Sequence, residues 1–453
     1  VPNQDKTKVP RIENTENAEL FIEMIKSIIK ETEPGRLIRK VVKRRGDILT
    51  IIDSGKTLSY NLSDFRRIIV IGAGKASGRM ATAIEEILCN RLDYGVVNVL
   101  HEQTFNSSKI KFIHAAHPLP DREGMRGVKE MFKLIGNVNA DDLFICLMSG
   151  GASAMIELPA DNISLEDSVK LTKLLLESGA DINEINCVRK HISAIKGGFL
   201  AARLYPATVI SLILSDVVGN KVDTIASGPT SPDFSTFIDA KDVLVKHNLW
   251  SETPLAIRTR IERGIRGEVE ETPKPGDHLF LKVKNIIVGS NEIATEAARK
   301  FLISEGFTVH SFSRSMTGEA RLMGMLFAKE LINRATSKKF AIIAGGETTV
   351  TLGKVYGKGG RNQELALSAA LSIQGFTDLS MISFATDGLD GPTDAAGAFV
   401  DGSTVLKAKR AGIDPEEYLL KHNSYNFFKK VGGLIITGAT GTNVNDVAIG
   451  VKN

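Results

Sequence analysis

The chain is poor in the features that mark several large classes of protein. Its three cysteines, Cys89, Cys146 and Cys187, stand far apart and form no C-x-x-C pair, which excludes a zinc ribbon or a disulfide framework and suits a reducing compartment. No apolar run approaches the length that spans a bilayer, and Leu-rich stretches such as LTKLLL are far too short. No secretory hydrophobic segment opens the chain, which starts VPNQDKTKVPRIENTEN, polar and expected to fray at its tip. Charge is nearly balanced: 57 Lys and Arg face 53 Asp and Glu, and a net +4 over 453 residues leaves no electrostatic footprint for nucleic acid. Internal repeats and low-complexity tracts are missing too. The expectation is a cytoplasmic protein, bound to neither membrane nor nucleic acid, whose partners are small molecules. Nothing here decides between a monomer and a homodimer.

What the chain holds instead is a series of short β-branched runs, each stopped by a glycine-rich turn, several of them carrying Ser, Thr, Asp or Lys. IIVIGAGKASG, LFICLMSGGASA, SLILSDVVGN, NIIVGSN, FAIIAGGETT and MISFATDGLDGPTDAAG all read this way. Parallel α/β sheets gather such strand ends on one edge, where backbone N–H groups and helix N-termini face a ligand rich in anionic oxygen. The repetition points to phosphate chemistry.

A chain of 453 residues exceeds what one core usually organises, so two domains are expected. Apolar residues at Leu20, Phe21, Met24, Ile25, Ile28 and Ile29 predict an amphipathic helix within residues 16–45. Strands and helices then alternate: IIVIG, a helix over 80–88, YGVVNVL, a helix over 128–135, LFICLMSGG, the helical run SLEDSVKLTKLLLESG, and TVISLILSD. This predicts a Rossmann-like parallel sheet covered on both faces. At RGEVEETPKPGDH charge, Pro and Gly break the pattern, which places a boundary between domains 1–270 and 271–453. Beyond it NIIVGSN, TVHSFS, FAIIAGGE, MISFATDG, AFVD and GGLIIT resume. The missing helix between MISFATDG and AFVD predicts an antiparallel member, hence a mixed second sheet. The fold class is α/β, with two three-layer α/β/α domains.

Two turns stand out in the first half. In IGAGKASG, Gly72 and Gly74 permit close backbone approach and Lys75 sets a point charge beside a helix N-terminus. The spacing is not that of a P-loop, because Ala76 replaces the hydroxyl residue after the lysine. As a dinucleotide fingerprint it reads G-x-G-x-x-S, and Glu102 falls too late to be the ribose-binding acid. The second turn, SGGAS, with Ser149, Gly150, Gly151 and Ser153, resembles a backbone nest suited to phosphate or carboxylate. A packing turn with a solvated lysine, and a plain tight turn, are the alternatives. In NCVRKHISAIKGG, Arg189, Lys190, His191 and Lys196 precede a diglycine; they form either a wet face or an anion site. The pair His114 and His117 lacks the context of a metal motif.

Acidic residues cluster at later strand ends. Asp216 closes SLILSD, while Asp387, Asp390 and Asp394 crowd FATDGLDGPTDAAG, as suits Mg²⁺ or as turn-forming residues would. Glu347 in AGGETT and Arg361 in GKGGRNQELAL complete the set; a guanidinium at a helix start can grip carboxylate or phosphate through two parallel hydrogen bonds.

VIGAGKASG, HPLPD, LMSGGASA, NCVRKHISAIKGG, LSDVVGN, IASGPTSPD, GGETTVTLG, GKGGRNQELAL, ATDGLDGPTDAAGA and TGATGTNVNDVAI together resemble the glycerate 2-kinase family, whose C-terminal part is called the MOFRL domain. The motifs run in a consistent order from about the first helix to the last residues. The resemblance implies an ATP-dependent kinase that makes 2-phosphoglycerate from D-glycerate, with Mg²⁺ or another divalent cation, in a cleft between two α/β/α domains. It also implies that Lys75 and Arg361 are the principal catalytic residues, with Glu347, Asp387 and Asn443 lining the same cleft. Asp387 and Asp216 are the candidate metal ligands. Members of this family also carry the label hydroxypyruvate reductase, so an NAD(P)H enzyme is the alternative, opposed by the missing ribose-binding acid and the surplus of anion-binding turns. A silent sugar-acid-binding module is a third reading.

Overall fold

The computed structural model describes residues 9–13, 18–334 and 339–453. Most of the polar opening of the chain, expected to fray, and the predicted start of the first helix at residue 16 lie outside the described residues. In chain order the strands are β1 (Arg11–Ile12), β2 (Val42–Arg45), β3 (Ile48–Asp53), β4 (Lys56–Asn61), β5 (Arg67–Ala73), β6 (Tyr94–Leu100), β7 (Ile110–Ala115), β8 (Asp142–Met148), β9 (Thr208–Leu214), β10 (Val283–Gly289), β11 (Thr308–Met316), β12 (Phe340–Gly346), β13 (Leu379–Ala385), β14 (Gly397–Asp401), β15 (Leu434–Ile436) and β16 (Asp446–Lys452).

The chain divides into two compact units, but not at residue 270. One unit is Pro34–Val288; the other joins Val1–Glu33 to Gly289–Asn453. Two corrections follow. The helix expected within residues 16–45 is two helices, Glu19–Glu31 and Pro34–Val41, followed by β2. Pro34 has no N–H to donate and starts the second helix, where that loss costs nothing. NIIVGSN, assigned above to the second domain, is β10, and it lies at the edge of the first unit's sheet beside β9. The charged Pro/Gly stretch that suggested the boundary is therefore a loop inside one unit.

Within Pro34–Val288, β2, β3 and β4 form an antiparallel meander, an element absent from the sequence reading. The main sheet runs β10-β9-β8-β5-β6-β7, and β9, β8, β5, β6 and β7 are mutually parallel. Counted from β5, the chain winds outward through β6 and β7, then returns to β8 and continues through β9 to β10. This is the doubly wound order, with its switch point between β5 and β8. The strands are buried along most of their length, as a sheet covered on both faces requires. Ile69, Ile71, Phe144, Cys146 and Val209 pack with Val128, Met131 and Leu200 in one core. A second, helical cluster surrounds Leu171, Val188, Phe237 and Ile261.

In the other unit the sheet order is β1-β15-β14-β13-β16-β12-β11. Only β11 and β12 are parallel; β12–β16, β16–β13, β13–β14, β14–β15 and β15–β1 are antiparallel. The mixed sheet and its antiparallel AFVD strand are as expected, whereas β16, near the sheet centre, was not anticipated. Helices Ala320–Arg334 and Arg361–Ser372 bury Phe327, Leu331, Leu365 and Ala369 with Ile342, Met381, Val400 and Ala448 on one face. Helix Glu19–Glu31 lies on the opposite side, where the Phe21 and Phe399 rings meet edge-on at 5.4 Å. The side chains alternate along β14, so Phe399 points away from its neighbours Ala398 and Val400. The result is a three-layer α/β/α unit.

Candidate functional site

In the first unit the two glycine turns meet at the switch point. Ala73 pairs with Met148 in the parallel register, so Gly74–Lys75 and Ser149–Gly151 leave the sheet side by side. The turns are stitched together: Lys75 N–H donates to Gly150 O (2.9 Å), Ser149 N–H to Ala73 O (3.2 Å), and Ala76 N–H to Ser149 Oγ (3.0 Å). Ser77 Oγ, 3.1 Å from Ser149 Oγ, donates to Ala73 O at 2.6 Å. Gly74 is obligatory. It sits at φ +130°, and a Cβ there would lie 2.2 Å from Ser149 Oγ and 2.6 Å from Ser149 O. Gly151, at φ +84°, opens the short helix Ala152–Met155, and Lys75 Cγ and the His117 ring border the space its missing side chain leaves. Lys75 and the SGGAS turn are thus brought together at one edge of the sheet.

The cations of NCVRKHISAIKGG are not a wet face. Helix Ile182–His191 carries Arg189, Lys190 and His191, and the last two are buried, as is Lys196. Lys190 Nζ pairs with Asp233 at 3.0 Å, His191 Nε2 lies 2.9 Å from Glu271, and Lys196 Nζ is ion-paired with the buried Glu157. Burial pulls the Lys196 ammonium below its ordinary pKa, with Glu157 pulling the other way. Arg189 forms neither a hydrogen bond nor an ion pair with any described residue. A separate chain of hydrogen bonds ties this helix to the SGGAS turn: Ser153 Oγ is 3.1 Å from Ser227 Oγ, which donates to Asn186 Oδ1 at 2.7 Å. Asp216 lies two residues beyond the end of β9, partly buried.

In the second unit the acids gather because β16 runs antiparallel to both neighbours. Its first residue, Asp446, faces Gly346 at the end of β12 and Ala385 at the end of β13. Glu347 follows the end of β12 directly, and Asp387 follows the end of β13 after Thr386. Arg361, the first residue of helix Arg361–Ser372, donates from Nε to Asp446 Oδ2 (2.5 Å), from Nη2 to Asp446 Oδ1 (3.1 Å) and from Nη1 to Glu347 Oε1 (2.6 Å). Burial disfavours the charged guanidinium, but the adjoining carboxylates outweigh it and hold Arg361 charged. Burial raises the Asp446 carboxyl to about 7 against the pull of Arg361. Three of the five guanidinium donors are therefore committed to protein carboxylates and two remain. This revises the expectation that the fork grips a ligand anion.

The three aspartates of FATDGLDGPTDAAG serve different ends. Asp390 is buried and caps the helix that carries Arg361, accepting from Asn362 N–H (3.1 Å) and Gln363 N–H (2.9 Å). Asp394 accepts from Tyr425 Oη at 2.8 Å. Asp387 accepts from Leu389 N–H at 3.1 Å and stands partly exposed, while its carbonyl accepts from Thr440 N–H, also at 3.1 Å. Thr386 Oγ1 donates to Asn445 O at 2.7 Å and accepts from Val444 N–H at 2.9 Å, fastening the loop that holds Asn443 to the end of β13. Asn443 Oδ1 accepts from Asn445 N–H at 3.4 Å.

Sequence reasoning missed Asp446, Glu157, Asn186 and Ser227. Asp446 left a signal, since an acid opening the alternating run DVAIGVK belongs at a strand start. The other three left none.

Residues 20–262 match a domain of unknown function, DUF4147, and residues 340–446 match the MOFRL family. The chain is 43% identical over 438 residues to a glycerate 2-kinase from Pyrococcus horikoshii, spanning 96% of this chain and 97% of the relative. It is 40% identical over 438 residues to a D-glycerate 2-kinase from Thermotoga maritima, with 95% and 97% covered. The crystal structure of a glycerate kinase from Thermotoga maritima superposes with a TM-score of 0.82 at 39% identity, covering 96% of this chain and 99% of that one. A relative from Agrobacterium vitis, 37% identical over 387 residues and spanning 84% of this chain and 86% of its own, bears the name putative hydroxypyruvate reductase.

Proposed function

The chain belongs to the glycerate 2-kinase family, and we propose that it transfers the γ-phosphoryl group of ATP to the 2-hydroxyl of D-glycerate, giving 2-phosphoglycerate. The observation that carries the reading is Lys75, set beside the Ser149–Gly151 turn at the switch point of a doubly wound sheet, where α/β folds take their ligands. Phosphoryl transfer asks a protein mainly for positioning and for neutralisation of charge on the transferring group. In this reading the turn's backbone N–H groups and Ser149 hold phosphate oxygens, and Lys75 stabilises the charge of the transition state. Arg361 fixes Glu347 and Asp446 and presents its two remaining N–H groups to the reacting oxygens. Lys75 and Arg361 belong to different units.

Among the described residues no group of three or more His, Cys, Asp or Glu side chains is arranged to hold a metal. The donor set that Mg²⁺ asks for is smaller, one or two carboxylates completed by nucleotide phosphates, and the partly exposed Asp387 in one unit is a carboxylate of that kind, as is Asp216 in the other. When bound, the cation neutralises phosphate charge and orients the nucleotide.

The relative named as a putative reductase keeps one other reading in view. It meets two obstacles here: Glu102 stands two residues beyond β6 in an exposed turn, and Ser77 spends its hydroxyl inside the protein. One experiment decides. The protein is incubated with D-glycerate, ATP and Mg²⁺, and in parallel with hydroxypyruvate and NAD(P)H, and the product is read by ³¹P NMR. Formation of 2-phosphoglycerate is expected. Oxidation of NAD(P)H without a phosphorylated product overturns the proposal, and 3-phosphoglycerate overturns its regiochemistry.

A further inference from the structure

Arg189 is the one basic residue of the NCVRKHISAIKGG segment with no acid, among the described residues, within ion-pair distance. Lys190 has Asp233, His191 has Glu271, and Lys196 has Glu157, all within one unit. Arg189 is partly buried, and partial desolvation of a guanidinium is costly when no ion pair or hydrogen bond repays it. Burial indeed pulls Arg189 below its ordinary pKa, and Glu157, the nearest opposing charge, restores only part of the loss while being already paired with Lys196. The local balance of Arg189, Lys196 and Glu157 is one positive charge in excess.

The position of that excess is set by the helix. Asn186 and Arg189 are three residues apart on helix Ile182–His191 and so share a face. Asn186 is bound to Ser227, and Ser227 to Ser153 of the SGGAS turn, whose Gly150 carbonyl accepts from Lys75 N–H. The face that carries Arg189 is therefore anchored to the turn at the switch point. Lys190, four residues from Asn186 and so near the same face, pairs with buried Asp233, to which Thr272 Oγ1 also donates at 3.0 Å, and this pair fixes the helix's orientation.

We propose that Arg189 is the anchor for the carboxylate of the acceptor, a small 2-hydroxy acid, gripping it through two parallel hydrogen bonds. The assignment rests on the kinase reading for the identity of the acid, and it gives to Arg189 the anion contact that Arg361, already engaged with Asp446 and Glu347, is poorly placed to supply. A planar guanidinium matches a carboxylate's two oxygens, whereas a lysine ammonium offers only a point charge. A nucleotide phosphate is the other oxyanion with this chemistry, and the test separates the two.

D-glycerate and ADP are each titrated calorimetrically into the intact wild-type protein and into Arg189→Lys and Arg189→Ala, with thermal melts to check folding. Both variants are expected to lose D-glycerate affinity on the order of 30-fold or more, the scale for truncating a desolvated charged contact, while ADP affinity stays within about threefold. Added methylguanidinium should restore part of the glycerate binding to Arg189→Ala, which a purely structural role does not allow. Should Arg189→Ala fail to fold, Arg189→Lys decides. Unchanged glycerate affinity in the folded variants, a loss confined to ADP, or a wild-type protein with no affinity for D-glycerate each overturns the assignment. Because binding is measured without turnover, a wild type that binds glycerate through Arg189 yet phosphorylates nothing defeats the kinase reading and leaves this one standing.

Discussion

Replacing Arg361 by Met should destabilise the protein in a way that depends on pH, and the structure gives both size and sign. The substitution keeps a long side chain but strips Asp446 of two hydrogen bonds and its counter-charge, leaving a buried carboxylate alone at the start of β16. Removing one partner of a buried pair costs about 3–5 kcal/mol. For a unit of this size each kcal/mol moves the melting temperature by about 2–4 °C, so the Gly289–Asn453 unit should melt at least roughly 6 °C lower at alkaline pH. The folded protein already holds the Asp446 proton up to about 7, well above the ordinary carboxylate value, so the native state binds more protons than the unfolded chain and stability falls as pH rises through that window. Losing Arg361 raises Asp446 further. Below pH 7 the acid is neutral in both proteins and the gap between them is small; above it wild type is ionised and paired while the variant still retains its proton. The gap should therefore widen by up to about 1.4 kcal/mol per pH unit, close to 3 kcal/mol between pH 7 and pH 9. Asp390, raised by burial and also within the field of Arg361, adds to the same sign. Urea unfolding of both proteins at pH 6 and pH 9 measures the gap, and the added substitution Asp446→Asn should shrink its pH dependence. A gap that stays constant or narrows with pH, or a double variant no different from Arg361→Met, refutes the reasoning.

Three further outcomes are expected. Lys75→Ala should lose most of its turnover and keep its fold, because the Lys75 N–H bond to Gly150 O that ties the turn survives the substitution; near-normal kcat in a folded variant speaks against the catalytic role. Asp387→Asn should raise the Mg²⁺ concentration needed for half-maximal rate, and an unchanged metal titration would leave Asp387 as the acceptor for Leu389 N–H and transfer the ligand role to Asp216. Gly74→Ala should cost on the order of 1–3 kcal/mol in denaturant unfolding and depress activity as well, since the new methyl group collides with Ser149 at an unfavourable φ; wild-type stability would mean that the turn tolerates displacement.

How much of this was legible in the sequence depends on whether a feature is local. The strand that ends in Gly72–Ala73, the turn that presents Lys75 and the nest at Ser149–Gly151 are written in consecutive residues, and they appear where the periodicity placed them. The mixed character of the second sheet was also readable, from the short AFVD strand. Partnership was not. That Asp446 would complete Arg361 depends on β16 inserting antiparallel between β12 and β13, a pairing between segments some 60 to 100 residues apart. The same limit explains the misplaced boundary. A Pro/Gly loop looks alike whether it joins two domains or lies within one, and only the pairing order shows that β10 finishes the first sheet. The cation cluster shows what this limit means for function. In sequence, Arg189, Lys190, His191 and Lys196 are four basic residues in a row of eight, and either a wet face or an anion site accounts for them. Burial and three acids drawn from distant segments neutralise all but Arg189, and Arg361, the expected anion contact, turns out to be bound by two acids of its own. Charge that fold-level partners have already matched is not available to a ligand. Of these charges only the Arg189 guanidinium lacks an acid, among the described residues, within ion-pair distance, which is why the acceptor's carboxylate is assigned to it rather than to Arg361.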